Sequence, residues 1–297
     1  MSKSDKNKYF NVSPETLRAL QLKSLEMMVY LRDFCDEHGL TVFFCGGCCI
    51  GTLRHGGFIP WDDDIDVFMP RDDYERLFEL WPEYADTSRY SCLKTTKDKF
   101  IGNIFTTIVD NNTTCIKPPQ KDLDIPQGIA IDVFPLDGCP IGIKRKMQKL
   151  NALIYSLYIA QEIPKNHGPL VTAVGALMLG IVPVRSWRVA IGKAAEKRMS
   201  RYKIEDCDFI TELCAGPHYM QNEYPKRCFD GVVRKSFEGY EMPLPAGYDE
   251  YLHIAFGDYM QPPPKEKQVA HHDFIFLDTE NSYKKYKGIK YLTKGKK

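Results

Sequence analysis

Asp64 and Asp66 stand one residue apart in a stretch that alternates like a β-strand, and Asp132 stands in a second stretch of the same kind. Successive strand side chains point to opposite faces, so Asp64, Asp66 and Phe68 share one face while Ile65, Val67 and Met69 share the other. Like charges on neighbouring same-face positions repel, and burying them unpaired costs several kcal/mol, so the pair asks for a cation. Hard oxygen ligands beside phosphate chemistry select Mg²⁺ or Mn²⁺. In Gly128–Asp137, GIAIDVFPLD, residues Ile129, Ile131 and Val133 take one face, and Ala130, Asp132 and Phe134 the other. Alone, Asp132 would be an edge residue facing water. With its strand beside the first, three carboxylates converge as a two-metal transfer site requires.

The elements that must position these acids are legible around them. Leu40–Phe44 is an apolar strand that delivers Gly46-Gly47, and Ile50–His55 is compatible with a short helix. The diglycine is either a simple tight turn or a strand-to-helix turn whose free N–H groups can hold phosphate. Upstream, Ser13-Pro14 reads as an N-cap and first helical proline, followed by Leu17, Leu20, Leu25, Met28, Leu31 and Phe34 at helical spacing up to Gly39. Asp72 and Glu75 read as a capping box for a helix through Leu80. Tyr90–Thr95, Ile101–Val109 and Thr113–Ile116 read as antiparallel strands, with Asp110-Asn111-Asn112 turning between the last two. The polar loop Lys117–Gln127 either closes over a ligand or simply connects.

These residues resemble the LicD family of phosphocholine transferases, to which fukutin and fukutin-related protein are distantly related. The resemblance rests on Gly46-Gly47, Gly51, Arg54-His55 and the run Gly57-Phe58-Ile59-Pro60-Trp61-Asp62-Asp63-Asp64 with Asp66. It continues through Ile131–Asp137, Tyr248 and Tyr251, Gly257-Asp258-Tyr259-Met260, Pro262-Pro263 and His271-His272. Cys48-Cys49 depart from it, standing where such proteins often carry a hydroxyl residue and an apolar one. The family resembles nucleotidyltransferases in its core and transfers a phospho-alcohol from a CDP-linked donor to a glycan hydroxyl. The resemblance therefore implies that Asp64 and Asp66 hold the metal on the donor pyrophosphate. It implies that Asp132 completes a second metal position or accepts the hydroxyl proton, and that Gly46, Gly47 and Cys48 meet the donor phosphates. Arg54 is the candidate cation opposing charge on the leaving CMP, with His55 beside it, while Trp61, His271 and His272 are further candidates near the donor. For Arg54 the plainer alternative is a salt bridge to the acidic run.

Length and composition fit one large core or two smaller ones: 297 residues, 43% hydrophobic, 27% charged. The expected class is α+β, a nucleotidyltransferase-like mixed β-sheet core flanked by helices with a helical, turn-rich C-terminal extension. Residues 1–140 are expected to form the catalytic core, and 141–297 a basic helical segment and extension packed on it. The formal charge of +1 is unevenly spread, because residues 141–203 hold twelve Lys/Arg against two acids, a net of +10 that leaves −9 elsewhere. Such asymmetry suggests an anionic partner for that segment. Within it, Pro169–Val184 is sixteen residues without a charge, short of the roughly 20 that span a bilayer. It reads as a buried core helix or, alternatively, as a segment docking with its basic flanks on an anionic membrane face.

The ten cysteines, with no apolar signal stretch in MSKSDKNKYF, point to buried free thiols in a reducing, cytoplasmic setting, with peripheral contact at the inner membrane face. The C-x-x-C at Cys45 and Cys48 formally allows a redox pair, and Cys207, Cys214, His218 and Cys228 formally allow zinc, though their spacing fits no usual ligand pattern. Trp61, Tyr240, Tyr251 and Tyr259 are candidates for an aromatic cage around a quaternary ammonium. The expected partners are a CDP-linked donor and a glycan or lipid-linked glycan, with no nucleic acid. Two other functions remain open on these residues: a nucleotide-sugar glycosyltransferase using its D-x-D pair, and an inactive membrane-associated glycan-assembly factor.

Overall fold

The computed structural model describes residues 13–163, 168–270 and 274–293. Ser13 Oγ accepts from the N–H of Thr16 at 3.2 Å and opens α1 (Pro14–Glu37), which buries Leu20, Leu25, Met28, Leu31 and Phe34 along one side. β1 (Phe43–Phe44), α2 (Gly46–His55), β2 (Asp66–Pro70) and α3 (Arg71–Tyr84) follow. The capping box expected at α3 does not form. Pro70 occupies the cap without a side-chain bond, and Glu75 instead binds Arg71 at 3.3 Å and Lys94 at 2.6 Å. The helix runs past Leu80 to Tyr84.

The chain continues through β3 (Tyr90–Leu93), β4 (Thr106–Asp110), β5 (Thr114–Ile116), β6 (Ala130–Cys139), α4 (Gly142–Ala160), α5 (Pro169–Ile181) and α6 (Arg185–Met199). It ends with β7 (Phe209–Glu212), β8 (Tyr224–Pro225), β9 (Val232–Phe237), β10 (Tyr240–Pro245), α7 (Tyr248–Phe256) and β11 (Phe276–Asp278). The principal sheet has the order β1-β2-β6-β4-β3. β7 takes the edge of β6 beyond β4, and β8 pairs outside it. Only β2 and β6 are parallel; every other pair in the sheet is antiparallel, which makes it a mixed sheet in an α+β chain. Strands from beyond residue 140 thus complete the sheet that carries the acids.

β5 departs from the expected arrangement. Both edges of β4 are already filled by β3 and β6, so β5 pairs with β11 from the far end of the chain. The turn at Asp110 survives, with Thr113 N–H donating to Asp110 O at 3.3 Å.

Below the sheet, Arg71 forks onto the fully buried Asp137 with bonds of 2.8 and 2.6 Å. Asp137 belongs to the motif around Asp132, but it holds α3 to β6 rather than facing a ligand. Asp137→Asn would remove the charge of Arg71's bidentate partner, leaving the guanidinium only Glu75 at 3.3 Å and Glu196 at 3.8 Å, and is expected to cost about 3 kcal/mol, read as a lower urea midpoint.

α5 also departs from its safer expectation. Its Leu170, Val174, Leu177 and Ile181 are exposed, and only Gly175 and Leu179 are buried. The helix rests on α4 along one narrow stripe, where Tyr158 Oη donates to Met178 O at 3.2 Å, and among the described residues no second layer covers its other side. Arg188 of α6 closes the end of α5 by donating to Leu179 O and Val182 O at 2.8 and 2.6 Å. Among the described residues no single helix is long and apolar enough to cross a membrane, and α5 meets α6 at a bend of 117°.

Candidate active site

β2 and β6 run side by side in register, with Asp66 opposite Asp132 and Phe68 opposite Phe134. Neighbouring strands lie about 4.8 Å apart, so two of the expected acids are adjacent. The ladder of β2 starts at Asp66, not at Asp64, yet Asp64 and Asp66 both line a cavity of about 530 Å³, and Asp62 joins them. Asp62, Asp63 and Asp64 each bring a carboxylate oxygen within 4.8 Å of the others. Asp132 stands beside Asp66 but outside the cavity wall, accepting from Thr107 Oγ1 at 3.0 Å with Lys117 Nζ 3.9 Å from its other oxygen.

The electrostatics are those of mutually repelling carboxylates. Burial, then Asp64, Asp132 and Asp62, hold the Asp66 carboxyl well above the usual carboxylate range. Desolvation opposes charge on Lys117, but Asp132, Asp64 and Asp66 outweigh it and raise the ammonium above its ordinary pKa. A dense all-oxygen donor set whose members repel one another fits a hard divalent ion.

α2 starts at the rim of this cavity. Gly46 adopts φ +47°, and its N–H donates to Tyr251 Oη at 3.0 Å, so that group is engaged rather than open to phosphate. A Cβ on Gly47 would stand 2.2 Å from Asp62 Oδ2, so the second glycine is what lets the carboxylate lie against the helix start. Arg54 reaches the cavity from the last turn, donating to Tyr259 O at 3.0 Å and through Nε to His55 Nε2 at 3.0 Å. Trp61, Tyr251 and Tyr259 also line the wall.

Other expected positions fall elsewhere. Cys48 lies on the inward side of α2, with its thiol donating to Asp64 O at 3.9 Å, and does not reach the cavity. His55 points outward and does not line the cavity; burial followed by Arg54 lowers its pKa, so it steadies Arg54 as a neutral ring. Tyr240 is exposed on β10, away from any cage. His271 and His272 lie outside the described residues. The Cys45 and Cys48 thiols are both pushed well up by burial and by nearby carboxylates, which disfavours a redox pair. Among the described residues, Cys207, Cys214, His218 and Cys228 form no ligand cluster.

Two charged residues had not been singled out from the sequence. Lys117 opens the loop after β5 and becomes the ammonium beside Asp132. Glu212 ends β7 opposite Leu136, which puts it on the same sheet face as Asp66 and Asp132. Its burial pushes the carboxyl up to about 8 from the ordinary 4.5; bonds from the N–H groups of Cys214 and Ala215 offset this only in part, Asp137 adds to it and Arg71 opposes it. Cys45 and Tyr224 feel its charge as well. A raised folded pKa gives stability that is full below about pH 4.5 and is lost as pH rises through about 8. Glu212→Gln is therefore expected to flatten the fall in urea midpoint across that window.

A family model described as LicD/FKTN/FKRP, nucleotidyltransferase domain, matches residues 39–117, from just before β1 through β5. Over 277 residues the chain is 30% identical to the lipopolysaccharide cholinephosphotransferase LicD of Haemophilus influenzae, covering 86% of this chain and 96% of that protein. It is also 26% identical over 107 residues to the uncharacterized protein RP689 of Rickettsia prowazekii, covering 31% of this chain and 40% of that one. The chain belongs to the LicD family and is a transferase of the LicD type.

Proposed function

We propose that this enzyme moves phosphocholine from CDP-choline to a hydroxyl of lipopolysaccharide or a related cell-surface glycan precursor, such as a teichoic acid. The observation that carries the reading is the in-register pair Asp66 and Asp132, with Asp64 beside a cavity large enough for a nucleotide donor. The name and near-complete coverage of the Haemophilus influenzae relative support the transferred group and the acceptor class.

Asp64, Asp66 and Asp132 are the residues that would hold Mg²⁺ or Mn²⁺, with Asp62 close by. Bound there, a divalent ion supplies charge neutralisation for the donor pyrophosphate and acidifies the attacking hydroxyl. The first turn of α2 beyond Gly46 offers its amides to phosphate oxygens. Arg54 stands where a guanidinium can oppose charge gathering on the leaving CMP, steadied by Tyr259 O and His55. The acceptor oxygen forms its bond to phosphorus as the bond to CMP breaks, and the hydroxyl proton passes to a carboxylate of the ledge.

The test incubates the protein and Mg²⁺ with CDP-choline, CDP-ethanolamine, CDP-glycerol and CDP-ribitol plus lipopolysaccharide, scoring CMP and product mass. CMP release with a phosphocholine mass increment is the expected result. Nucleoside diphosphate released from a nucleotide sugar would move the assignment to a glycosyltransferase, and an Asp66→Asn strain with normal glycan decoration would move it to an assembly factor. We also place the enzyme at the cytoplasmic face of the membrane, where the apolar side of α5 and the exposed Lys144, Lys146 and Arg185 would meet anionic lipid beside a lipid-linked acceptor.

A further inference from the structure

We propose that Glu212, with the rings of Tyr219, Tyr224 and Tyr251, forms the subsite for a quaternary ammonium in the cavity, its counter-charge at the end away from the acidic ledge. This rests on the cavity being the donor site. The floor between the two ends is set by strand register. Asp66 and Asp132 come first, Phe68 and Phe134 next, and Glu212, opposite the buried Leu136, last, all on one face. Four residue steps of strand, about 13 Å, lead from Asp132 to Leu136, the register partner of Glu212. A phosphate at the ledge therefore leaves an apolar floor for the alcohol's carbons and a carboxylate beyond it.

Glu212 is nearly fully buried, at 1% exposure, and lines this cavity. One oxygen accepts from the N–H groups of Cys214 and Ala215, the latter at 2.7 Å. The other is buried with no hydrogen-bond partner among the described residues. Arg71, whose charge reaches Glu212, is committed to Asp137. A buried carboxyl oxygen without a partner is costly, and a cation carried in by the ligand would draw the group, held protonated by burial in the free protein, into its charged form.

The surroundings select the kind of cation. Tyr251 Oη accepts from Gly46 N–H, and Tyr224 Oη accepts from Asn222 Nδ2 at 3.0 Å. Their oxygens are thus engaged, while the rings of Tyr224 and Tyr251 pack edge to face at 5.2 Å. Tyr219 adds a half-buried ring leaning on Phe256 at 5.8 Å. A primary ammonium needs several acceptors, which these oxygens do not supply. A trimethylammonium donates no hydrogen bonds and is held by ring faces and a single counter-charge.

Glu212→Gln keeps the acceptor for Cys214 and Ala215 and removes the counter-charge, so a purely structural glutamate predicts no change in ligand preference. Calorimetry with Mg²⁺ would compare CDP-choline, CDP-glycerol and choline chloride on wild type, Glu212→Gln and Tyr219→Leu. Wild type is expected to prefer CDP-choline over CDP-glycerol by about tenfold or more, with both variants losing most of that preference. An unchanged preference in both variants, or none in wild type, overturns the subsite while leaving a CDP-alcohol donor intact. If wild type binds no CDP-alcohol, the donor reading fails, and choline alone decides: binding lost in Glu212→Gln supports the subsite, and equal or absent binding overturns it.

Discussion

Asp66→Asn is expected to raise the melting temperature of the metal-free protein while lowering transfer by about a thousandfold. The two effects have opposite signs because they come from the same charges. Asp66 is buried, held against Asp132 by the parallel register, and close to Asp64 and Asp62, so desolvation first and repulsion second disfavour its ionised form in the folded chain. Asparagine has nearly the same shape and removes that repulsion. With Mg²⁺ the repulsion turns into ligation, which the variant cannot match, so the melting temperature gained by wild type on adding Mg²⁺ should shrink or vanish. Thermal melts with and without Mg²⁺, alongside CMP release, measure all of this. Retained turnover with an unchanged Mg²⁺-induced shift would remove Asp66 from the site.

Flotation with anionic liposomes is expected to carry wild type to the top of the gradient and to leave Leu170→Asp/Leu177→Asp at the bottom. The two leucines are 76% and 63% exposed, so replacing them should not disturb the core. Inserting each contributes about 1.5–3 kcal/mol, and each basic residue near the surface adds about 1 kcal/mol. Two aspartates reverse the apolar contribution and repel anionic headgroups. Wild type sedimenting away from the vesicles would defeat membrane docking. A wild-type dimer that the double variant makes monomeric would assign this face to a second copy instead.

The convergence of Asp64, Asp66 and Asp132 was legible because strand alternation is local and assigns faces without knowledge of the fold. Residues assigned to α2 were harder to place. Gly47, Ile50 and Arg54 line the cavity at spacings of three and four, whereas Cys48 and His55 fall on other sides of the helix. Treating 46–55 as one continuous helix would have separated them. Lys117 and Glu212 carried no such signal, since the register of β5, β6 and β7 brings them in from distant parts of the chain. α5 was misjudged for another reason: hydropathy measures how apolar a segment is, not whether anything covers it.

The parallel pairing of β2 with β6 also governs how the protein can be assembled. The 59 residues from 71 to 129 separate the two strands, and the matched family region stops at residue 117, before β6 begins. A nascent or truncated chain ending there would carry Asp66 on a strand whose inner edge has no neighbour, with Asp64 just ahead of it, a template for intermolecular pairing. Closing so long a loop is slow compared with local pairing. The acidic ledge therefore forms late, after synthesis has passed the centre of the sheet, and expression of the matched region alone should yield aggregate rather than a small working enzyme.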